Sequence, residues 1–154
     1  MNDRKWPKSE SSTLHQIAPR QRTVGVRALV FDSLQRVLLV KHTYLKGWYT
    51  PGGGVNEREA PANAIVREIW EETGIRIEGE ARLFSIYLNA MKASDDYPIM
   101  YVFENQRGTP KTNDRKEIRA VDWFPLNALP DTTTKKTIAR ISEFVSGKEP
   151  SPIW

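Results

Sequence analysis

Residues 53–75 read GGVNEREAPANAIVREIWEETGI, a glycine-rich turn followed by helix-forming residues with acidic groups near the end. Glu68, Glu71 and Glu72 are spaced i, i+3 and i+4, so a helix places their carboxylates on one face, within about 100° of arc. Like charges at this spacing destabilise an isolated helix by roughly 0.2–0.5 kcal/mol per pair. A hard divalent cation reverses that repulsion, because Mg²⁺ binds carboxylates together with substrate phosphates. The segment therefore predicts a site where a metal ion and a phosphate group meet.

The same segment resembles the Nudix box, the signature of a hydrolase family. Every position that the family pattern specifies is filled, by Gly53, Glu59, Arg67, Glu68, Ile69, Glu71, Glu72, Gly74 and Ile75. A solvated acidic helix that ends at a glycine would explain residues 71–74 taken alone. The complete pattern favours the resemblance, because ordinary residue frequencies make accidental agreement at all of these positions rare.

The resemblance implies the fold, the activity and the cofactor. The expected fold class is α/β, a Nudix-type α/β/α sandwich with a mixed β-sheet. The expected activity is divalent-metal-dependent hydrolysis of a phosphoanhydride bond in a nucleoside diphosphate linked to another moiety, such as a nucleoside triphosphate or a nucleotide sugar. Mg²⁺ is the expected cofactor, with Mn²⁺ as its alternative. Divalent ions suit this reaction because they neutralise phosphate oxygens and lower the pKa of bound water.

The resemblance also implies roles for residues of the box. The metal ligands implied are the carbonyl of Gly52 and the carboxylates of Glu68, Glu71 and Glu72. Glu68 binds the metal or helps to deprotonate water. Arg67 is expected to pair with a box carboxylate and hold it in place, since its planar guanidinium suits this better than lysine. Glu59 belongs to the same site or only places negative charge at the start of the helix.

A further acidic ligand or base is expected from a loop after the box. Glu117 is the first candidate, and Asp114 and Glu104 are weaker ones, although each of the three also reads as surface charge. His15 and His42 are poor catalytic candidates, and His42 at the end of a strand is expected to be a partly buried histidine.

Several aromatic residues could stack on a base or a sugar, although core packing explains most of them. They are Trp48, Tyr49, Tyr87, Tyr97 and Tyr101. Trp48 is the nearest of them to the glycine turn in sequence.

A chain of 154 residues fits one domain. Residues 1–20 are expected to form a flexible N-terminal extension, and residues 21–150 the Nudix hydrolase domain. Apolar periodicity and turn residues predict the elements within it. Strands are expected at residues 23–31 and 36–42 as a hairpin, at 47–50, at 81–88 and 99–104 on either side of Asp95 and Asp96, and at 118–124. Helices are expected at residues 59–73 and 135–146. The first helix should pack on the sheet through Ala62, Ile65, Val66, Ile69 and Trp70.

Composition restricts the partners. The net charge of +4 and the pI near 9.4 favour polyanionic ligands, but the basic residues are scattered rather than gathered in a nucleic-acid-binding tail. No apolar run approaches the roughly 20 residues of a membrane-spanning helix. The chain has no cysteine, which excludes disulfides and thiolate metal sites. A cytoplasmic monomer or homodimer without a membrane partner is expected.

The substrate stays open at this level. At the position where ADP-ribose hydrolases of the family tend to carry a proline, this chain has Met91. A small nucleotide is favoured as the substrate. The alternatives are an RNA 5′-end pyrophosphohydrolase and, less favoured, a non-catalytic nucleotide-binding regulator, which usually lacks one or more of the acidic residues retained here.

Overall fold

The computed structural model describes residues 21–154. The extension expected at residues 1–20, with His15, lies outside the described residues. The elements in chain order are β1 Gln21–Asp32, β2 Arg36–His42, α1 Pro61–Thr73, β3 Arg82–Ile86, β4 Asn89–Ala90, β5 Ser94–Gln106, β6 Ile118–Pro125 and α2 Lys135–Ser146. The predicted limits of β2 and α2 agree with the structure, whereas α1 begins at Pro61 rather than at residue 59. Pro61 suits a first helical turn, where a missing N–H costs little.

The strands form one mixed sheet in the order β3-β5-β1-β2-β6, and β4 pairs with β5. β1 and β5 are parallel, and the other pairs are antiparallel. Alternating residues of β1 serve opposite faces of the sheet. Val26 and Ala28 are buried with Ile65 of α1, while Leu29 is buried with Ile141 of α2. The helices therefore cover both faces, which confirms the α/β/α sandwich.

The sheet opens between β1 and β2, whose pairing is confined to Phe31 and Val37 beside their turn. The gap is filled by residues 51–54, which we call the glycine loop. Val26 and Ala28 donate amide hydrogen bonds of 2.9 Å to carbonyls of this loop. The backbone just before the loop pairs with β2 on the other side. The predicted hairpin is therefore present but short, and the glycine loop sits between its diverging strands.

Each helix has a capped terminus, and the glycine cap of α1 was predicted from the sequence. Gly74 follows α1 in the left-handed conformation, with φ 67°, and its N–H donates to the carbonyl of Trp70. Thr134 caps the start of α2 by accepting a hydrogen bond from the amide of Thr137. Neither helix of the described chain is long and apolar enough to cross a membrane. The cytoplasmic location and the monomeric or homodimeric state stay predictions.

Several local expectations were wrong. Residues 47–50 form isolated bridges rather than a strand. Asp95 and Asp96 do not separate two strands, because they lie inside β5 and pair with β1, and Asp96 accepts a 2.7 Å hydrogen bond from Thr23. Val66 and Trp70 do not pack on the sheet; they are 38% and 39% exposed, because the sheet covers a narrower stripe of α1 than its apolar residues span.

Candidate active site

Glu72 is the most buried carboxylate of the site, with 3% of its surface exposed in the last turn of α1. Its Oε2 accepts a 2.8 Å hydrogen bond from the amide of Gly52 in the glycine loop. Burial raises the pKa of Glu72 to about 8, although the hydrogen bond from Gly52 acts in the opposite direction. Among residues 21–154, no cationic side chain forms a salt bridge with this buried carboxyl.

Arg67 forms hydrogen bonds with the other three acidic residues of the family pattern. Its Nε and Nη2 donate to the two oxygens of Glu59, both at 2.8 Å. Its Nη1 donates to Glu68 at 2.7 Å and to Glu71 at 3.1 Å, and its Nη2 also reaches the carbonyl of Gly54. The hydrogen bonds from Arg67, and then the one from the amide of Asn56, lower the pKa of Glu59 to about 2. Arg67 thus pairs with box carboxylates, as expected, and ties the helix to the glycine loop.

Glu68 lies directly against the glycine loop. A Cβ added to Gly53 would stand 2.5 Å from the Glu68 carboxyl group, whereas a Cβ added to Gly54 would meet nothing within 4 Å. Burial raises the pKa of Glu68, and the hydrogen bond from Arg67 opposes the increase. A side chain at position 53 would therefore displace the carboxylate, which explains in steric terms why glycine belongs there.

A cavity of about 590 Å³ opens beside these groups and is lined by Gly52, Glu68, Glu72 and Glu117. The side chain of Glu71 does not line it; this carboxylate is 49% exposed and lies beside Arg67. The structure therefore brings together three of the predicted carboxylates and Gly52, with Glu71 to one side.

The three carboxylates proposed after the box have different surroundings. Glu117 lines the cavity with Glu72. Asp114 instead accepts hydrogen bonds from the amides of Lys116 and Glu117, at 3.0 Å and 3.1 Å. Its carboxylate therefore shapes the loop. Glu104 pairs with Arg82 at 2.8 Å on the surface of β3 and β5. Glu117 alone of these three faces the box acids.

Cationic residues form part of the same cavity, and the sequence interpretation did not identify them. Arg27 of β1 lines it together with Lys135 and Lys136 from the first turn of α2. Thr134 in front of these lysines is a recognisable helix cap, so a signal for a positively polarised helix start existed. Arg27 gave no such signal, because its place beside the cavity depends on how β1 lies against the glycine loop.

Aromatic residues are among those that line the cavity. Tyr49 is one of the predicted candidates, and Tyr44 and Trp154 line it as well. The other candidates line other parts of the fold. Trp48 packs edge-on against a phenylalanine of β6, Tyr87 and Tyr101 are buried in the core, and Tyr97 pairs within the sheet.

His42 is partly buried at the end of β2, as predicted, and lines the cavity. Burial and then the neighbouring Arg27 lower its pKa, so the imidazole is neutral at neutral pH.

The donor set fits a hard divalent ion in its chemistry. Glu68, Glu72 and Glu117 offer carboxylate oxygens at the cavity, and oxygen ligands are those that Mg²⁺ and Mn²⁺ prefer. Within residues 21–154, no three acidic or histidine side chains converge as ligands around one point. Arg67 explains this arrangement, because its guanidinium holds Glu68 and Glu71. The residues that the resemblance implies as metal ligands therefore lie near one another without converging.

The family model of the NUDIX domain matches residues 21–144 of this chain. The chain belongs to the Nudix family. This Nudix hydrolase is 31% identical to the MutT NUDIX hydrolase from Burkholderia pseudomallei, whose crystal structure superposes with a TM-score of 0.67 over 79% of this chain and 95% of that one. The NUDIX domain of Shewanella oneidensis NrtR shares the fold, with a TM-score of 0.69, 19% identity, and coverage of 82% of this chain and 88% of that one.

Curated relatives of this Nudix hydrolase are similar at modest identity. The MutT-like protein of Streptomyces ambofaciens is 26% identical over 133 residues, which cover 86% of this chain and 83% of that protein. The m7GpppN-mRNA hydrolase dcap-2 of Caenorhabditis elegans is 33% identical over 117 residues, which cover 69% of this chain but only 14% of that protein. The family match and the similarity to MutT-like Nudix hydrolases support a pyrophosphohydrolase enzyme.

Proposed function

We propose that this Nudix hydrolase cleaves a phosphoanhydride bond in a nucleoside diphosphate linked to another moiety, such as a nucleoside triphosphate or a nucleotide sugar, with Mg²⁺ or alternatively Mn²⁺. One observation carries the proposal: a single cavity joins the carboxylates of Glu68 and Glu72 to the cations of Arg27, Lys135 and Lys136. A polyphosphate carries charges for both sets, because bound metal ions bridge carboxylates to phosphate oxygens and side-chain cations attract the remaining oxygens.

Each residue of the site has a distinct task under this proposal. Glu68, Glu71, Glu72 and the carbonyl of Gly52 would hold the metal. The ion, when bound, neutralises phosphate charge and acidifies water. Arg67 positions Glu68 and Glu71 through its guanidinium. Glu117 faces the cavity from the β6 side, where it serves as a further ligand or as the base that takes a proton from water.

The variant Glu72→Gln tests the proposal, because it keeps an oxygen that can accept the Gly52 hydrogen bond but removes the negative charge. We expect most of the turnover to be lost while the fold is retained. Glu104→Gln, a carboxylate outside the cavity, is the matched control and should keep full activity. Substrates would be nucleoside triphosphates, nucleotide sugars and dinucleoside polyphosphates, with Mg²⁺, Mn²⁺ or chelator, and product analysis would locate the attacked phosphorus. Undiminished turnover by Glu72→Gln would contradict the proposal, and nucleotide binding without cleavage by the wild type would favour the binding-only regulator.

A second candidate is pyrophosphohydrolysis at an RNA 5′ end. The cavity continues at Tyr44 into a surface groove lined by Lys41, Lys46 and Arg119, and Arg119 also lines the next depression with Lys111 and Arg115. Among the described residues, 21–154, no acidic side chain lines either the groove or the depression. A chain of phosphates leaving the site could follow this path. The Caenorhabditis elegans relative, named as an mRNA hydrolase, agrees with this candidate.

The salt dependence of binding separates the two candidates. If RNA binds along the groove, the logarithm of its binding constant should fall linearly with the logarithm of the salt concentration. The slope grows steeper with the number of phosphate contacts. The double variant Lys46→Ala/Arg119→Ala should reduce that slope and weaken RNA turnover, while turnover of a nucleoside triphosphate stays as in the wild type. Equal effects of salt on RNA and on a nucleoside triphosphate would argue against the RNA candidate.

A further inference from the structure

Residues 150–154, which we call the C-terminal strap, lie beside β4 next to the cavity. Ile153 forms a parallel bridge with Leu88. The amide of Leu88 donates to the carbonyl of Pro152 at 2.8 Å, and the amide of Trp154 donates back to the carbonyl of Leu88 at 3.0 Å. Two backbone hydrogen bonds on either side of one residue fix the path of the strap, and with it the position of the Trp154 ring.

A buried arginine of α2 anchors the strap from beneath. Arg140 is 4% exposed, and its Nη1 donates to the carbonyl of Ile153 at 3.1 Å. Its Nη2 pairs with Glu143 at 2.7 Å. The guanidinium lies 5.4 Å from the ring centre of Trp154 and 4.4 Å from that of Tyr87. A buried cation with these contacts holds the tryptophan ring in one orientation, because moving the ring would leave the charge less well surrounded.

The tryptophan held in this way lines the same cavity as the box carboxylates. Lys135 and Lys136 line it too, and Lys136 donates a 3.1 Å hydrogen bond to Asn89 of β4, the strand beside the strap. Cationic residues and a partly buried tryptophan therefore line the same cavity. A nucleoside polyphosphate has matching parts, since its phosphates carry negative charge and its base offers a planar face.

The other aromatic residues of the cavity have different partners. The rings of Tyr44 and Tyr49 lie 5.3 Å and 5.4 Å from that of His42, and the hydroxyl of Tyr49 donates to the carbonyl of Lys46. They form a second aromatic group on the β2 side of the cavity, at the opening of the basic groove. The indole of Trp154 does not belong to this group, because it lies beside Arg140 of α2.

We propose that Trp154 is a specificity-determining residue that stacks on the nucleobase of the substrate while the phosphates lie towards Lys135 and the box carboxylates. This inference rests on the proposed function. Loss of base stacking weakens nucleotide binding about 5- to 150-fold. The stacked ring acts on the base alone, so an inorganic polyphosphate of the same charge should not depend on it.

The test compares Trp154→Leu and Trp154→Phe with the wild type, using a purine nucleoside triphosphate as substrate and inorganic tripolyphosphate as competitor. We expect Trp154→Leu to raise KM for the nucleotide about 5- to 150-fold, with kcat and the tripolyphosphate inhibition constant near their wild-type values. Trp154→Phe should restore most of the affinity. Trp70→Leu, which removes an exposed tryptophan outside the cavity, is the matched control and should change neither constant.

Fluorescence gives a second measurement that needs only the conservative variant. Nucleotide should quench the indole emission of the wild type, tripolyphosphate should not, and the quenching should disappear in Trp154→Phe. Persistent quenching in that variant would overturn the inference. So would a Leu variant that loses nucleotide and tripolyphosphate affinity equally, because the ring would then only support the fold. A wild-type enzyme that cleaves no nucleotide would instead contradict the proposed function, whatever the variants do.

Discussion

The charge state of Glu72 leads to a quantitative prediction about stability. Its carboxyl is almost fully buried, and burial raises its pKa from 4.5 to about 8. A group with a raised pKa in the folded state binds its proton more tightly there than in the unfolded chain. Its contribution is therefore fully present below the unfolded pKa of about 4.5 and is lost as pH rises through about 8. The metal-free protein should become less stable across this interval.

The magnitude follows from the same values. At 1.36 kcal/mol per pKa unit, an increase from 4.5 to about 8 corresponds to about 5 kcal/mol as an upper figure. Movement of the glycine loop and entry of water reduce such costs, so we expect about 2–4 kcal/mol. Glu72→Gln stays neutral at every pH and escapes this loss. Its free energy of unfolding should exceed that of the wild type by about 2–4 kcal/mol more at about pH 9 than at about pH 5.

Urea denaturation with chelator, at both pH values and for both proteins, measures this difference directly. Subtracting the variant from the wild type cancels the titration of groups that the two proteins share. Adding Mg²⁺ near pH 9 should shrink the difference, because metal binding favours the ionised carboxylate and stabilises the folded wild type. The reasoning would be refuted by a stability difference that stays the same at both pH values.

Three further changes probe the surroundings of the site. Arg67→Lys removes a planar fork that holds several carboxylates, so the metal concentration for half-maximal activity should rise about 10- to 100-fold in a titration; an unchanged titration would contradict this. Gly53→Ala should reduce kcat about 100-fold by displacing Glu68, whereas Gly54→Ala, with open space for its methyl group, should not; equal kcat values would remove the steric argument. Thr134→Ala should lower the free energy of unfolding by about 1 kcal/mol, because the cap of α2 is lost, and thermal denaturation measures it. A Thr134→Ser variant that fails to restore the stability would count against the cap.

Local patterns in the sequence were sufficient for much of the fold. β2 and α2 have the limits that apolar periodicity and turn residues predicted, and α1 ends at Gly74 as its glycine indicated. These features depend on residues within one or two turns of each other. Asp95 and Asp96 were misplaced because their strand is held by pairing with β1, which lies far away in sequence. Their own polarity indicates a turn, and tertiary pairing overrides it.

The site divides in the same way. The box acids and their spacing could be predicted because one helix carries them. The cationic residues of the cavity could not be predicted, since Arg27 and Lys135 are brought to it only by the packing of β1 and α2. Composition alone does not distinguish Glu117 from Asp114, because both are acids of one short loop. In the structure Asp114 accepts a hydrogen bond from the Glu117 amide and shapes the turn, whereas Glu117 lines the cavity.

The separation of β1 from β2 has a consequence for how such a cleft can persist. Separating two neighbouring strands normally leaves a row of backbone N–H and C=O groups without hydrogen-bond partners. Here the glycine loop and the backbone before it take over the vacated ladder positions of Val26, Ala28 and Val40. The amide protons of these residues should therefore exchange as slowly as those in an uninterrupted sheet. A depression in the centre of the protein and a rigid interior are compatible because the intruding segment behaves as a surrogate strand.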